Sequence, residues 1–133
     1  MDVLLRYGRD DLLVDLPAQT DVILPRILPG LADEQAALRQ ALRQPMQSPP
    51  LRELVGPGKT VVIVHTDITR ATPNERILPV ILAEIEAAGV ARADITLLNG
   101  LGTHRPQTDA ELRKLLGAEV VANYRCLQHD CHD

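Results

Sequence analysis

Two loops hold the side chains of this chain best suited to chemistry: Asp67-Ile68-Thr69-Arg70 and Gly102-Thr103-His104-Arg105-Pro106. Between them they offer a carboxylate, two guanidiniums and an imidazole. His104 is the group most able to move a proton near neutral pH. Arg70 can clamp a carboxylate or phosphate with two parallel hydrogen bonds, a geometry that lysine lacks. Asp67 can accept bonds from sugar hydroxyls, ligate a metal, or cap its own loop. Thr69 divides between a ligand contact and a bond to local backbone. Arg105 either binds the same anion as Arg70 or braces its loop. His65, inside the preceding apolar run, reads as a packed, hydrogen-bonded histidine rather than a catalyst.

Such a site requires the two loops to meet, and the sequence suggests how. Lys59-Thr-Val-Val-Ile-Val is the strongest strand signal, and its continuous β-branched character predicts a strand covered on both faces of a parallel sheet. A helix is predicted over Pro73–Ala88, with Thr72, Pro73 and Glu75 as N-cap, first helical residue and capping-box partner. Its buried stripe is Ile77, Leu78, Ile81, Leu82 and Ile85, and Gly89 suits the left-handed position after the last turn. Asp94-Ile-Thr-Leu-Leu is the next strand, completing a strand–helix–strand unit. Thr108-Asp-Ala-Glu111 is a second capping box, opening a short helix with Leu112, Leu115 and Leu116 inward and Gly117 as its stop. Glu119-Val-Val-Ala reads as a third parallel strand. Both loops then leave carboxyl ends of strands and enter helix amino ends, where open α/β sheets place ligands and where backbone donors attract anions.

Upstream, residues 2–7 and 11–16 around Gly8-Arg9-Asp10 predict a short hairpin. Asp21-Val-Ile-Leu-Pro is a further extended candidate, Asp33–Arg43 a helix with Ala37, Leu38, Ala41 and Leu42 on one face, and Leu51–Val55 a short helix ended by Gly56-Pro57-Gly58. The expected fold is therefore α/β: a Rossmann-like three-layer domain with a small parallel sheet and a short N-terminal β-hairpin, in one domain spanning 1–133.

Composition narrows the function. With no Phe or Trp, only two Tyr, a net charge of -4 and no basic cluster, the chain has neither the stacking platforms nor the charge for nucleic acid. No apolar run approaches the roughly 18 residues of a membrane span, and no secretion leader is evident, so no membrane partner and a cytoplasmic location are expected. Cys126 and Cys131 read as ordinary thiols. The tail residues Cys126, His129, Cys131 and His132 carry ligand-type atoms, but their spacing matches no usual zinc pattern, so no metal site is expected on this chain. No Gly-x-Gly-x-x-Gly follows a strand, and Gly56-Pro-Gly-Lys-Thr precedes its strand, which argues against dinucleotide and NTPase loops.

Asp67-Ile-Thr-Arg-Ala-Thr-Pro, followed about thirty residues later by Gly102-Thr-His-Arg-Pro-Gln-Thr-Asp-Ala-Glu, resembles the amino-terminal domain of nickel-pincer-nucleotide lactate racemases and their 2-hydroxyacid relatives. The likeness runs from roughly residue 2 to 133. It implies a two-domain racemase about three times this length, transferring hydride at C2 of a 2-hydroxyacid while histidines exchange the hydroxyl proton. It implies that His104 is one acid/base histidine, that Asp67, Thr69 and Arg70 face the cofactor, and that Arg70 and Arg105 face an anionic substrate. Ile68 stands where the family's lactate enzyme has histidine, and Ala71 where it has proline. The family's cofactor lysine, nickel-binding histidine and second acid/base histidine lie beyond the matched stretch. The chain is thus expected to be part of a larger enzyme, to need a C-terminal domain as partner, and to be inactive and without bound cofactor when alone. The alternative is a non-catalytic nucleotide- or anion-binding regulatory domain using the same loops.

Overall fold

The computed structural model describes residues 1–132 and divides into two compact units, Met1–Gly30 and Leu31–Asp133. In the first, β1 (Asp2–Tyr7) and β2 (Asp10–Asp15) pair antiparallel, from Asp2 opposite Asp15 to Tyr7 opposite Asp10. Gly8 takes φ +66 at the first turn position, the sign demanded by a two-residue turn that matches strand twist. The amino terminus closes the open end by donating to Asp15 Oδ1 and the Leu16 carbonyl, both at 2.9 Å. The expected extended piece at Asp21–Pro25 forms no strand.

The second unit is built around a three-stranded parallel sheet, β3 (Val61–His65), β4 (Ile95–Asn99) and β5 (Arg125–Gln128), ordered β3-β4-β5. Its helices are α1 (Glu34–Arg43), α2 (Leu51–Leu54), α3 (Asn74–Ala87), α4 (Asp109–Leu116) and α5 (Ala118–Asn123). Strands that follow one another across a sheet through right-handed crossovers carry their connecting helices on one face. The core has that form: Ile95 and Leu97 of β4 lie among Leu78, Leu82 and Ile85 of α3, Leu112, Leu115 and Leu116 of α4 and Val120 of α5. Helices α1 and α2 pack in turn against α3. The α/β architecture anticipated from the sequence is present, a hairpin and a small parallel sheet flanked by helices, consistent with a three-layer domain.

Three local expectations are corrected. Strand β3 lies at the sheet edge with one face open: Val62 and Val64 are 56% and 66% exposed. Their β-branched run reflects strand propensity, not two-sided burial. Residues 119–122 are helical, part of α5; Gly117 at φ +91 ends α4 and starts α5, which turns Val120 into the core. The third strand comes later, in the tail, where Tyr124 donates to Glu86 at 3.0 Å as the chain enters β5. Finally, α3 begins at Asn74 after Pro73, and Thr72 makes no side-chain cap. Asn74 instead sends its amide to the Thr66 carbonyl and hydroxyl at 3.3 and 3.2 Å, tying the helix start to the end of β3. The capping box of α4 forms as read, Thr108 accepting from the Glu111 amide and Glu111 from the Thr108 amide. Gly89 adopts φ +94, with a Cβ there 2.9 Å from Pro57. No helix of the described residues is long and apolar enough to cross a membrane.

One buried charge fastens this unit. Glu84 on α3 is 3% exposed, and both its oxygens accept from Arg43 of α1 (2.8 and 3.3 Å) and from Arg52 of α2 (2.6 and 3.1 Å). Arg43 first, then Arg52, hold the Glu84 carboxyl below its ordinary value against the opposing effect of burial. A carboxyl lowered in this sense stabilises the fold above the ordinary glutamate range, and that contribution disappears as pH falls through the lowered value. Glu84→Gln should therefore lose about 1–3 kcal/mol at pH 7, the usual scale for hydrogen bonds to a charged group. Urea melts should show wild type and variant converging as the pH is lowered through and beneath the ordinary glutamate range.

Candidate functional site

Strands β3 and β4 run parallel in the register Val61–Ile95 through His65–Asn99, so their exits lie side by side. Immediately beyond, Thr66, Asp67, Arg70 and the backbone turn Gly100–His104 enclose an open cavity of about 240 Å³. The juxtaposition read from the sequence is thus present in three dimensions. Asp67, Arg70 and His104 share one cavity, although they are up to 37 residues apart.

Asp67 is the hub. It is 3% exposed. Its Oδ1 accepts from the Thr69 amide at 2.9 Å and the Thr69 hydroxyl at 2.6 Å, and its Oδ2 accepts from His104 Nδ1. The Thr69 hydroxyl foremost, and then His104, lower its carboxyl to about 2 despite the opposing cost of burial. Asp67 is therefore a carboxylate at any physiological pH. A carboxylate only accepts, so the imidazole proton lies on Nδ1. In the neutral ring Nε2 then carries the lone pair. His104 is nearly half exposed and also lines a second, adjoining cavity of about 250 Å³ with Ile68, Thr69, Arg105 and Gln107. A half-exposed imidazole oriented by a buried carboxylate is the arrangement of a general base.

The two arginines differ. Arg70 is exposed, lines the first cavity, and has no side-chain partner among the described residues. Arg105 grips Glu111 through two bonds of 2.9 and 2.8 Å and also donates to the Pro106 carbonyl at 2.9 Å, so in this structure it braces its loop against α4. Arg105 in turn leads the interactions that lower Glu111 to about 2. That carboxylate also caps α4, so this helix end already holds its own anion, contrary to the expectation that both helix starts await one. Thr69 turns its hydroxyl to Asp67 and lines the second cavity, not the first.

His65 is buried as anticipated, with Nδ1 donating to the Thr66 carbonyl at 3.0 Å, and burial pushes its pKa down. Sequence reasoning overlooked Asn74, Asn99, Gln107 and Gln128, all drawn toward the strand ends. Asn99 carried a readable signal: it occupies the inward phase set by Ile95 and Leu97, where an apolar residue would continue the pattern. Among the described residues, no group of three or more His, Cys, Asp or Glu could hold a metal ion. The chain's own donor set fits an anion and hydroxyl groups at Arg70 and Asp67, but does not by itself fit a nickel ion. Thr69→Val should raise the Asp67 carboxyl toward its ordinary value, because the hydroxyl bond is the largest cause of its lowering; a 13C carboxyl titration by NMR reads this directly.

Comparison with known proteins bears on this arrangement. The lactate racemase of Thermoanaerobacterium thermosaccharolyticum is 30% identical over 128 residues, covering 93% of this chain and 30% of that protein. The lactate racemase of Lactiplantibacillus plantarum is 32% identical over 96 residues, covering 72% of this chain and 22% of that one. In structure, the lactate racemase apoprotein from T. thermosaccharolyticum superposes with a TM-score of 0.74 at 29% identity, over 98% of this chain and 30% of that chain. A crystal structure of a Thermotoga maritima protein superposes with a TM-score of 0.55 at 26% identity, over 77% and 22% of the two chains. The chain therefore spans less than a third of the length of these relatives. A family model described as the lactate racemase N-terminal domain matches residues 7–133, and the chain belongs to that family.

Proposed function

We propose that this chain supplies one wall of the active site of a lactate-racemase-type enzyme, which inverts a small anionic 2-hydroxyacid at C2. The observation that carries the reading is the Asp67-oriented His104 in a cavity shared with the unengaged Arg70. A 2-hydroxyacid presents a carboxylate and a hydroxyl on adjacent carbons. Arg70 takes the carboxylate through two parallel bonds, and His104 Nε2 takes the hydroxyl proton and later returns it. Asp67 holds the ring in the tautomer that leaves Nε2 free and stabilises the imidazolium while it carries that proton. Arg105 joins the substrate side only by releasing Glu111.

No protein side chain accepts hydride, so the exchange at C2 needs a cofactor. In this reading a nickel-pincer nucleotide, bound by the whole enzyme, supplies the hydride acceptor. Asp67, Thr69 and Arg70 form this chain's share of its seat, with Thr69 acting through Asp67 and the nickel ligands provided elsewhere. The remaining partner is a C-terminal domain of the same protein, which closes the cavity and excludes water. The chain alone is inactive, and the enzyme works in the cytoplasm.

The test is chiral chromatography of lactate and related 2-hydroxyacids incubated with the full-length, cofactor-loaded enzyme carrying this region. His104→Gln should lower kcat by about 10²–10⁴-fold, the usual contribution of a positioned acid–base group. Arg70→Lys should raise KM about tenfold through loss of the two-point clamp. Full activity in the His104 variant, or racemisation by residues 1–133 alone, would overturn the reading.

A further inference from the structure

The loop that carries His104 leaves β4 at Gly100 and returns at Gln107, and both ends are tied to a polar row across the sheet. His65, Asn99 and Gln128 stand in register on adjacent strands, each at the last position of β3, β4 and β5. At the loop's entry, the Gly100 amide donates to the His65 carbonyl at 2.9 Å, and a Cβ on Gly100 would meet that oxygen at 3.5 Å. At its exit, the Gln128 side chain accepts from the Gln107 amide at 2.7 Å and donates to the Gln107 carbonyl at 2.9 Å. The Asn99 amide donates to the Gln107 side-chain oxygen at 3.0 Å. Gln107 thus has its backbone donor, backbone acceptor and side chain all engaged, as a residue inside a sheet would.

We infer that Asn99 and Gln128 are positioning residues for His104, clamping Gln107 so that the loop holds the imidazole against Asp67. Asn99 is fully buried, and a leucine there would extend the apolar phase of Ile95 and Leu97 without desolvating an amide. The amide is retained although its own Oδ1 has no partner within the protein, and the neighbouring His65 Nε2 has none either. With Nδ1 donating to Thr66, Nε2 of a neutral His65 is an acceptor, so these two atoms cannot satisfy each other. Unsatisfied buried groups are rare and concentrate where geometry is being imposed. Here they lie beneath the one loop whose tip must be held still. Between Gly100 and Gln107 the loop has only one deeply buried apolar anchor, Leu101 at 2% exposure, and Thr103, His104, Arg105 and Pro106 are exposed. Among the described residues, the side-chain bonds that tie its second half to other elements are this exit clamp, the Arg105–Glu111 pair and the His104–Asp67 bond that the clamp serves.

The inference rests on the reading of His104 as the proton-transfer group, but its test needs no racemisation, so the two fail separately. The Nδ1 proton of His104, shared with Asp67, gives a low-field signal in 15N-histidine-labelled chain, and its exchange with water reports how firmly the pair is held. Gln128→Met, which keeps length and loses both bonds, should speed that exchange about tenfold or more, while the Leu97 amide in β4 stays protected; Asn99→Leu should act in the same direction. Gln128→Glu, which still accepts from the Gln107 amide, should recover part of the effect. An unchanged His104 signal in both folded variants overturns the clamp. If neither variant folds, backbone relaxation of the wild-type chain decides: order parameters below about 0.6 across residues 102–106 overturn it, and values near those of β4 uphold it.

Discussion

The buried carboxylate of Asp67 is the constraint around which the site is organised. It lies two residues past β3, and its oxygens are divided between two partners. One oxygen closes a local turn with Thr69, and the other reaches across to His104 on the loop after β4. A carboxylate this deeply buried is tolerable only when hydrogen-bonded, and here the bonds make it strongly acidic rather than neutral. Its charge then dictates the tautomer of His104, and that tautomer dictates which nitrogen faces the cavity. A single desolvated anion thus sets both the shape of one loop and the protonation of the other.

That arrangement depends on the sheet more than on the loops themselves. Parallel pairing of β3 with β4 brings His65 opposite Asn99, so the chain emerges from both strands at the same height. Helix α3 is anchored at this level by Asn74 bonding to Thr66, which keeps the Asp67 turn from drifting with the helix. Glu84, which does not line the cavity, holds α1 and α2 to α3 with two arginines. The Glu84 ion pairs stiffen the helices, while the amides of Asn74, Asn99, Gln107 and Gln128 stiffen the cavity end together with the Arg105–Glu111 pair.

The open face of the sheet follows from the same topology. Strands taken in order, each joined by a right-handed crossover, carry all their helices on one side. Val62 and Val64 therefore remain exposed in a strand whose composition suggests burial. This chain spans less than a third of the length of the relatives it matches, and its sheet has three strands, small for an α/β domain. The cavity has the same open character, lined by an oriented imidazole and by a guanidinium with no side-chain partner among the described residues.

Local chemistry made much of this legible in the sequence. The strand–helix–strand unit, the Thr108–Glu111 capping box and the left-handed Gly89 follow from patterns within a few residues, because turns, caps and periodic faces are short-range physics; the grouping of Asp67, Arg70 and His104 then follows from the rule that such a unit pairs its strands in parallel. What the sequence could not decide depended on partners distant along the chain. Residues 119–122 have strand-forming side chains but became helical because Val120 had a core to fill beside α4, and the strand moved into the tail. Thr69 and Arg105, both candidates for ligand contact, were claimed by Asp67 and Glu111 once the loops had folded. Residue type set which side chains can do chemistry; only the tertiary structure decided which remain free to do it, because a hydrogen bond made within the protein is one withheld from a ligand.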